Sequence, residues 1–253
     1  MSKYKYEINE DFKEFKKNLI NIKKDFENSE LSIHKARNEL KVIEFNKCKL
    51  IVKSFKIPNL INKIVYVYFR DSKAKKSYFN ALKLIEKNIL TPKPVAYIEF
   101  YKNGMLNDSY YVSEEIKYDF LIREPLYNKD FKDRENILKQ FVCFTYKNHK
   151  KGVFHKDYSA GNILVSKKDS GIYDFYLVDI NRMQFCNIDI KKAMLNFNKF
   201  WSDEPTLKFI AKEYSTLSGY DEQECISLIL HYDTKLKNFV QRRRKLKKMF
   251  FGE

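Results

Sequence analysis

Residues 152–165 read GVFHKDYSAGNILV. A histidine, an aspartate two residues later and an asparagine five beyond that stand just ahead of a short apolar run. Phosphoryl transfer needs few parts: a carboxylate to orient the attacking hydroxyl, oxygen ligands for magnesium, and a lysine to fix nucleotide phosphates. Asp157 and Asn162 are spaced so that one loop could aim both side chains into the same space. Asp157 would accept the hydroxyl proton, and Asn162 would offer Mg²⁺ a neutral oxygen. Gly161 is expected to free the backbone between them, and "ILV" to anchor the loop to a strand.

The reading extends in both directions from this loop. Downstream, "NILV", the polar turn "SKKDSG" and "FYLVD" predict a hairpin that ends in Asp179, a second candidate metal ligand. Carboxylate and amide oxygens with no nearby His or Cys suit magnesium rather than zinc. Upstream, Lys53 in "LIVKSF" is a charge held within an apolar strand.

Together, "LIVKSFK", "TPKPVAYIE", "HKDYSAGNIL" and "LVDINR" resemble the protein-kinase-like superfamily, whose catalytic loop reads H-R-D-x-x-x-x-N and whose metal-binding Asp opens D-F-G. Within it they look most like bacterial lipopolysaccharide core kinases, which phosphorylate Kdo or heptose sugars on lipid A. The resemblance spans roughly residues 33–194. It implies ATP and Mg²⁺ as cofactors, Asp157 as catalytic base, Asn162 and Asp179 as metal ligands, and Lys53 on the α- and β-phosphates. Backbone groups near Glu114 and Glu115 would bind adenine.

Three departures from the family pattern stand out. The turn expected over the phosphates, "HKARNE", has no glycine, so Arg37, Lys35 or Asn38 would contact phosphate or serve the fold. The helix that should pair a glutamate with Lys53 has no acid near Ser77. D-F-G has become "DIN". No A-P-E follows, and helical pattern resumes by about Ile190. Without a platform for a peptide, the expected acceptor is a lipopolysaccharide precursor or another sugar. Two rivals are a soluble aminoglycoside- or choline-kinase-like phosphotransferase and a pseudokinase that only binds.

The whole composition fits a folded two-lobed α+β protein, with a small antiparallel sheet first and a mainly helical lobe after it. The chain has 253 residues, 44% of them hydrophobic, and a net charge of +16. The expected divisions are an amphipathic helix over 1–30, a nucleotide-binding lobe over 31–115 and a catalytic lobe over 116–253. Phe12, Phe15, Leu19, Ile22 and Phe26 recur at helical spacing in the first. Four scattered cysteines without a C-x-x-C pair suit a cytoplasmic protein with reduced thiols. The N-terminus lacks a signal-peptide apolar core, and the longest uninterrupted apolar run is six residues, short of a membrane span.

The charge asks for an acidic partner, although lysine-rich composition alone can produce it. Six positive charges lie between Arg242 and Lys248. Interleaved with Phe239, Val240, Leu246, Met249, Phe250 and Phe251, they read as a peripheral contact with an anionic membrane surface on the inner-membrane side. The plainer expectation is a helix that packs its apolar face on the second lobe. No recognised nucleic-acid motif is present.

Overall fold

The computed structural model describes residues 3–30, 32–35, 38–46, 48–55, 70–169 and 171–251. It divides the chain into two compact units, one of residues 1–117 with 179–182, the other of 118–178 with 183–253. The turn Asp179–Arg182 therefore groups with the first unit, although the chain on both sides of it belongs to the second.

The first unit is built on a six-stranded antiparallel sheet in the order β1-β5-β6-β4-β3-β2. Its strands are β1 (Lys3–Ile8), β2 (Ser32–Lys35), β3 (Asn38–Phe45), β4 (Cys48–Phe55), β5 (Pro94–Lys102) and β6 (Met105–Glu114). Asn103 and Gly104 join β5 to β6 with φ of 52° and 74°. Two successive positive φ angles make the tight turn that matches strand twist, and Asn-Gly is the pair that adopts them most readily.

Side chains alternate across this sheet. Leu50 and Val52 of β4 face one side, where Phe12, Phe15, Leu19, Ile22 and Phe26 are buried against them. Phe55 faces the other, against Ala74 and Tyr78 of helix α3 (Lys73–Glu86) and Tyr97 and Tyr111 of the neighbouring strands. Lys53 shares the parity of Phe55 and stands beside Tyr111 and Leu40 in the register.

The first thirty residues do not form the single helix expected. Lys3–Ile8 adds an edge strand to β5. A 3₁₀ segment Glu10–Phe15 and two short helices, α1 (Lys16–Ile20) and α2 (Ile22–Asn28), follow. The backbone leaves helical geometry at Phe12, with φ −125°. Tyr4, Tyr6 and Ile8 alternate with polar residues, the two-residue period of a strand, while the five predicted apolar residues stay buried across the breaks. The run Leu60, Ile61, Ile64, Val65 and Tyr68, whose spacing suggests a further helix, lies outside the described residues.

The second unit centres on helix α5 (Arg134–Lys150). Ile137, Leu138, Phe141, Val142 and Thr145 recur at helical spacing and are buried along one face, which Asn148 and His149 continue. A short strand β7 (Phe120–Leu121) and helix α4 (Arg123–Tyr127) precede it. Asp133 does not cap α5 with its side chain. It holds φ +61° and accepts hydrogen bonds from Tyr173 Oη (2.9 Å) and Asn136 Nδ2 (3.0 Å).

After α5 the chain makes β8 (Val153–His155), β9 (Ile163–Lys167), β10 (Tyr173–Leu177) and β11 (Met183–Phe185). β9 pairs with β10 and β7, and β8 with β11. Gly152 enters β8 at φ +72°, and a Cβ there would lie 3.0 Å from the carbonyl oxygen of Cys186. Both the angle and the space require glycine. Helices α6 (Ile190–Asn196), α7 (Glu204–Ser218) and α8 (Glu222–Phe251) complete the unit, as expected from Asp189 onward.

Candidate active site

Within the first unit, Lys53 projects from β4 and its Nζ donates to Asp179 Oδ1 at 2.6 Å. Asn181 Nδ2 donates to the same oxygen, also at 2.6 Å. With both donors on Oδ1, Oδ2 is the oxygen left to a cation. Asp179 holds φ +55°, a left-handed conformation that Asp tolerates better than bulky residues and that recurs where backbone strain serves a site.

The missing glutamate has a structural answer. Ser77, where an acid was sought, is buried and bonds back to the carbonyl of Lys73. Asp179 itself neutralises Lys53. Helix α3 reaches the same turn through Asn80, whose Nδ2 donates to the Ile180 carbonyl at 2.7 Å. Two amides, Asn80 and Asn181, thus hold the turn that carries Asp179. Neither stood out in the sequence, because an Asn in a helix and an Asn in a turn are both common.

The remaining first-unit candidates fare differently. The amides of Glu114 and Glu115 already donate to the carbonyls of Lys93 (3.0 Å) and Lys49 (3.3 Å). These two N–H groups are engaged within the unit, which leaves the adenine expectation to the other backbone groups near Glu114 and Glu115. Asn38 opens β3 opposite Phe55, and its Oδ1 is buried with no hydrogen-bond partner among the described residues. Arg37 lies outside the described residues.

Within the second unit, the segment between β8 and β9 carries Asp157 and Asn162. Its shape is fixed by hydrogen bonds from both ends. The Asp157 N–H donates to His155 Nδ1 (3.0 Å), so His155 carries its proton on Nε2 and donates it to the Val178 carbonyl (3.1 Å). One buried imidazole therefore ties the loop to the end of β10, immediately before Asp179 in the chain. Asn162 Nδ2 donates to the Asp157 carbonyl (2.8 Å), which leaves its Oδ1 as the available oxygen. The Val178 N–H donates to the Asn162 carbonyl (3.0 Å).

Gly161 does not have the role expected of it. It sits in the 3₁₀ turn Ala160–Asn162 without a positive φ, and a Cβ added there would meet nothing within 4 Å. The loop is held by its hydrogen bonds rather than by glycine freedom.

Lys199 is the residue that the sequence reading missed. Its Nζ donates to Asp157 Oδ1 at 2.6 Å and to the Lys156 carbonyl at 2.7 Å. It lies after α6, 42 residues from Asp157, outside any motif, and a backbone bridge between Ser159 and Lys199 also joins it to the loop. No periodicity or spacing could have signalled it.

Behind the loop runs a buried polar relay. Asn196 Nδ2 donates to the His155 carbonyl (2.9 Å), and its Oδ1 accepts from His149 Nε2 (2.9 Å). His149 Nδ1 then accepts from the Tyr214 hydroxyl (2.9 Å). These bonds fix the neutral tautomer. Burial pushes the His149 pKa down from 6.5 to about 4, partly offset by the bond to Asn196.

As pH falls, the unfolded chain takes the His149 proton first. The stability that comes from keeping the ring neutral is intact above about pH 6.5 and is lost on the way to pH 4, amounting to about 3 kcal/mol. Denaturant midpoints measured across that window should fall with acid, and His149→Gln should flatten the slope.

Each feature has a place in one plan: a strand lysine paired with a left-handed aspartate, a His-x-Asp loop closed by Asn, an antiparallel sheet unit and a helical unit. The fold is that of the protein-kinase-like proteins. No family model matches the chain, and no curated protein matches it. Among solved structures, the one described as "WaaP in complex with acyl carrier protein" is similar, with a TM-score of 0.60 over 95% of this chain and 98% of that chain. The identity between the two is 14%, so the likeness establishes the fold.

Proposed function

We propose that the protein transfers the γ-phosphate of ATP to a sugar hydroxyl, with a Kdo or heptose of a lipopolysaccharide precursor as the acceptor. The observation that carries this reading is the Lys53–Asp179 pair, in which the carboxylate spends one oxygen on the protein and keeps the other. The residue types assigned to the metal suit magnesium. A carboxylate from Asp179 and a carboxamide oxygen from Asn162 are hard ligands, and Mg²⁺ takes few protein ligands, completing its shell with water and phosphate. The metal would neutralise charge on the transferring phosphoryl group.

The residues of the chain do the rest. Lys53 steadies the nucleotide phosphates by charge. Asp157 orients the acceptor hydroxyl and takes its proton. His155 and Asn162 hold Asp157 by its backbone and Lys199 holds its carboxylate, so the base is oriented before substrate arrives. Adenine is bound by backbone groups near Glu114 and Glu115 other than their two engaged amides. The saccharide assignment rests on the resemblance of residues 33–194 and on the short passage from Asp179 to α6, which begins at Ile190. ATP as donor places the reaction in the cytoplasm.

The test is transfer from labelled ATP to purified lipid A precursors bearing or lacking Kdo and heptose. Transfer confined to sugar-bearing precursors supports the reading. Transfer to small aminoglycosides or choline instead would move the protein to the soluble phosphotransferases.

Lys199 acts through Asp157 and is a positioning residue. A pair about a third exposed contributes up to about 1 kcal/mol, so Lys199→Met should lower kcat by up to about 5-fold. KM for ATP should change little, and Lys199→Arg should restore part of the rate. A change in KM alone would show that Lys199 serves nucleotide binding instead.

A further inference from the structure

Helix α8 is thirty residues long, and only its first half belongs to the body of the second unit. Cys225, Ile229 and Asp233 are buried along that half. From Gln241 to Phe250 every residue is exposed. The expected packing of this tail against the lobe does not occur. Phe239, Leu246, Met249 and Phe250 are 60%, 53%, 78% and 75% exposed, because the helix outruns the surface that would cover them.

The arrangement of these side chains is regular. At 3.6 residues per turn, Phe239, Leu246 and Phe250 fall on one stripe, at i, i+7 and i+11, with Met249 beside it. That stripe is rotated by about a quarter turn from the face that Cys225, Ile229 and Asp233 bury, so it does not simply continue the packed face. Arg242 and Arg243 border it, and Arg244, Lys245, Lys247 and Lys248 occupy the rest of the circumference.

We infer that the distal part of α8 is a membrane-surface anchor that lies on an anionic lipid bilayer. Its apolar stripe would enter the headgroup–acyl boundary while its cations meet lipid phosphates. Long Arg and Lys stems bordering the stripe can lie along it and keep their charges at the interface. Charge decides between occupants. A second copy of the helix would bring like charges together. A nucleic acid would satisfy the cations but leave four large apolar side chains in water. A bilayer rich in anionic lipid satisfies both. Among the described residues no helix is long and apolar enough to cross a membrane, so the helix lies on the bilayer. This inference does not depend on the phosphotransfer reading.

The test is sedimentation of the full-length chain with phosphatidylcholine vesicles that contain or lack phosphatidylglycerol. Binding is expected only to the anionic vesicles and should weaken with added salt. Replacing Arg242, Arg243 and Arg244 together by Gln should lower affinity by about 100-fold, since each basic residue near such a surface contributes about 1 kcal/mol. The pair Leu246→Asp with Phe250→Asp should lower it by about 10-fold or more through lost apolar burial. Both variants change exposed side chains, and unaltered thermal unfolding would confirm that the fold is intact. Binding untouched by the Asp pair would overturn the inference, because cations alone would then suffice. So would failure to bind vesicles under conditions in which the chain binds polyuridylate.

Discussion

Asp157→Asn is expected to lower phosphate transfer by about 10²- to 10⁴-fold, the usual contribution of a positioned general base, without unfolding the protein. The loop does not depend on the carboxylate for its shape. The Asp157 N–H is held by His155, and its carbonyl accepts from Asn162 and from the Ser159 N–H. The carboxylate pairs with Lys199, but both side chains are about a third exposed, and such pairs contribute at most about 1 kcal/mol to stability. Initial rates with labelled ATP, read beside thermal unfolding, separate the two effects. Equal rates in both proteins would make this a binding module rather than an enzyme.

Asp179→Ala should have a comparable effect on transfer by another route. Loss of the carboxylate removes a metal ligand, and metal stabilisation of a phosphoryl group amounts to several kcal/mol, or about 10³-fold in rate. It also leaves Lys53, 13% exposed, without its anionic partner, which should cost about 1–3 kcal/mol of stability. Two readouts check this: transfer rate, and the rise in melting temperature on adding ATP with Mg²⁺, which should vanish. Lys53→Ala in the same background should recover stability by removing the uncompensated ammonium, but not activity. A persistent Mg²⁺-dependent shift in Asp179→Ala would remove Asp179 from the metal site.

What the sequence disclosed follows how local each signal was. Strand β4 and its lysine were legible because a charge interrupts an apolar alternation. The stripe of α5 was legible because five buried residues repeat at helical spacing. The edge strand Lys3–Ile8 was not, since its alternation is short and its partner β5 lies some ninety residues away. The partner of Lys53 was sought in a helix, where the family keeps a glutamate, and lies instead in the turn after β10, 126 residues along the chain. Lys199 was illegible for the same reason. A glycine beside a motif invites a conformational role, and the φ of Gly161 does not require one. The mixture of cations and large apolar residues in the basic tail is plain in the sequence, but whether the body covers it depends on how far α8 extends.

The grouping of Asp179–Arg182 with the first unit bears on how the protein can be cut or recombined. The polypeptide changes unit three times, after Lys117, after Val178 and after Arg182. A gene fragment ending at Lys117 would encode the whole six-stranded sheet, yet it would omit the carboxylate that neutralises Lys53 and the carbonyl that Asn80 grips. The smallest piece that can keep Lys53 paired is thus discontinuous in sequence. Domain shuffling at the apparent linker, in evolution or in the laboratory, would separate the lysine from its counter-charge.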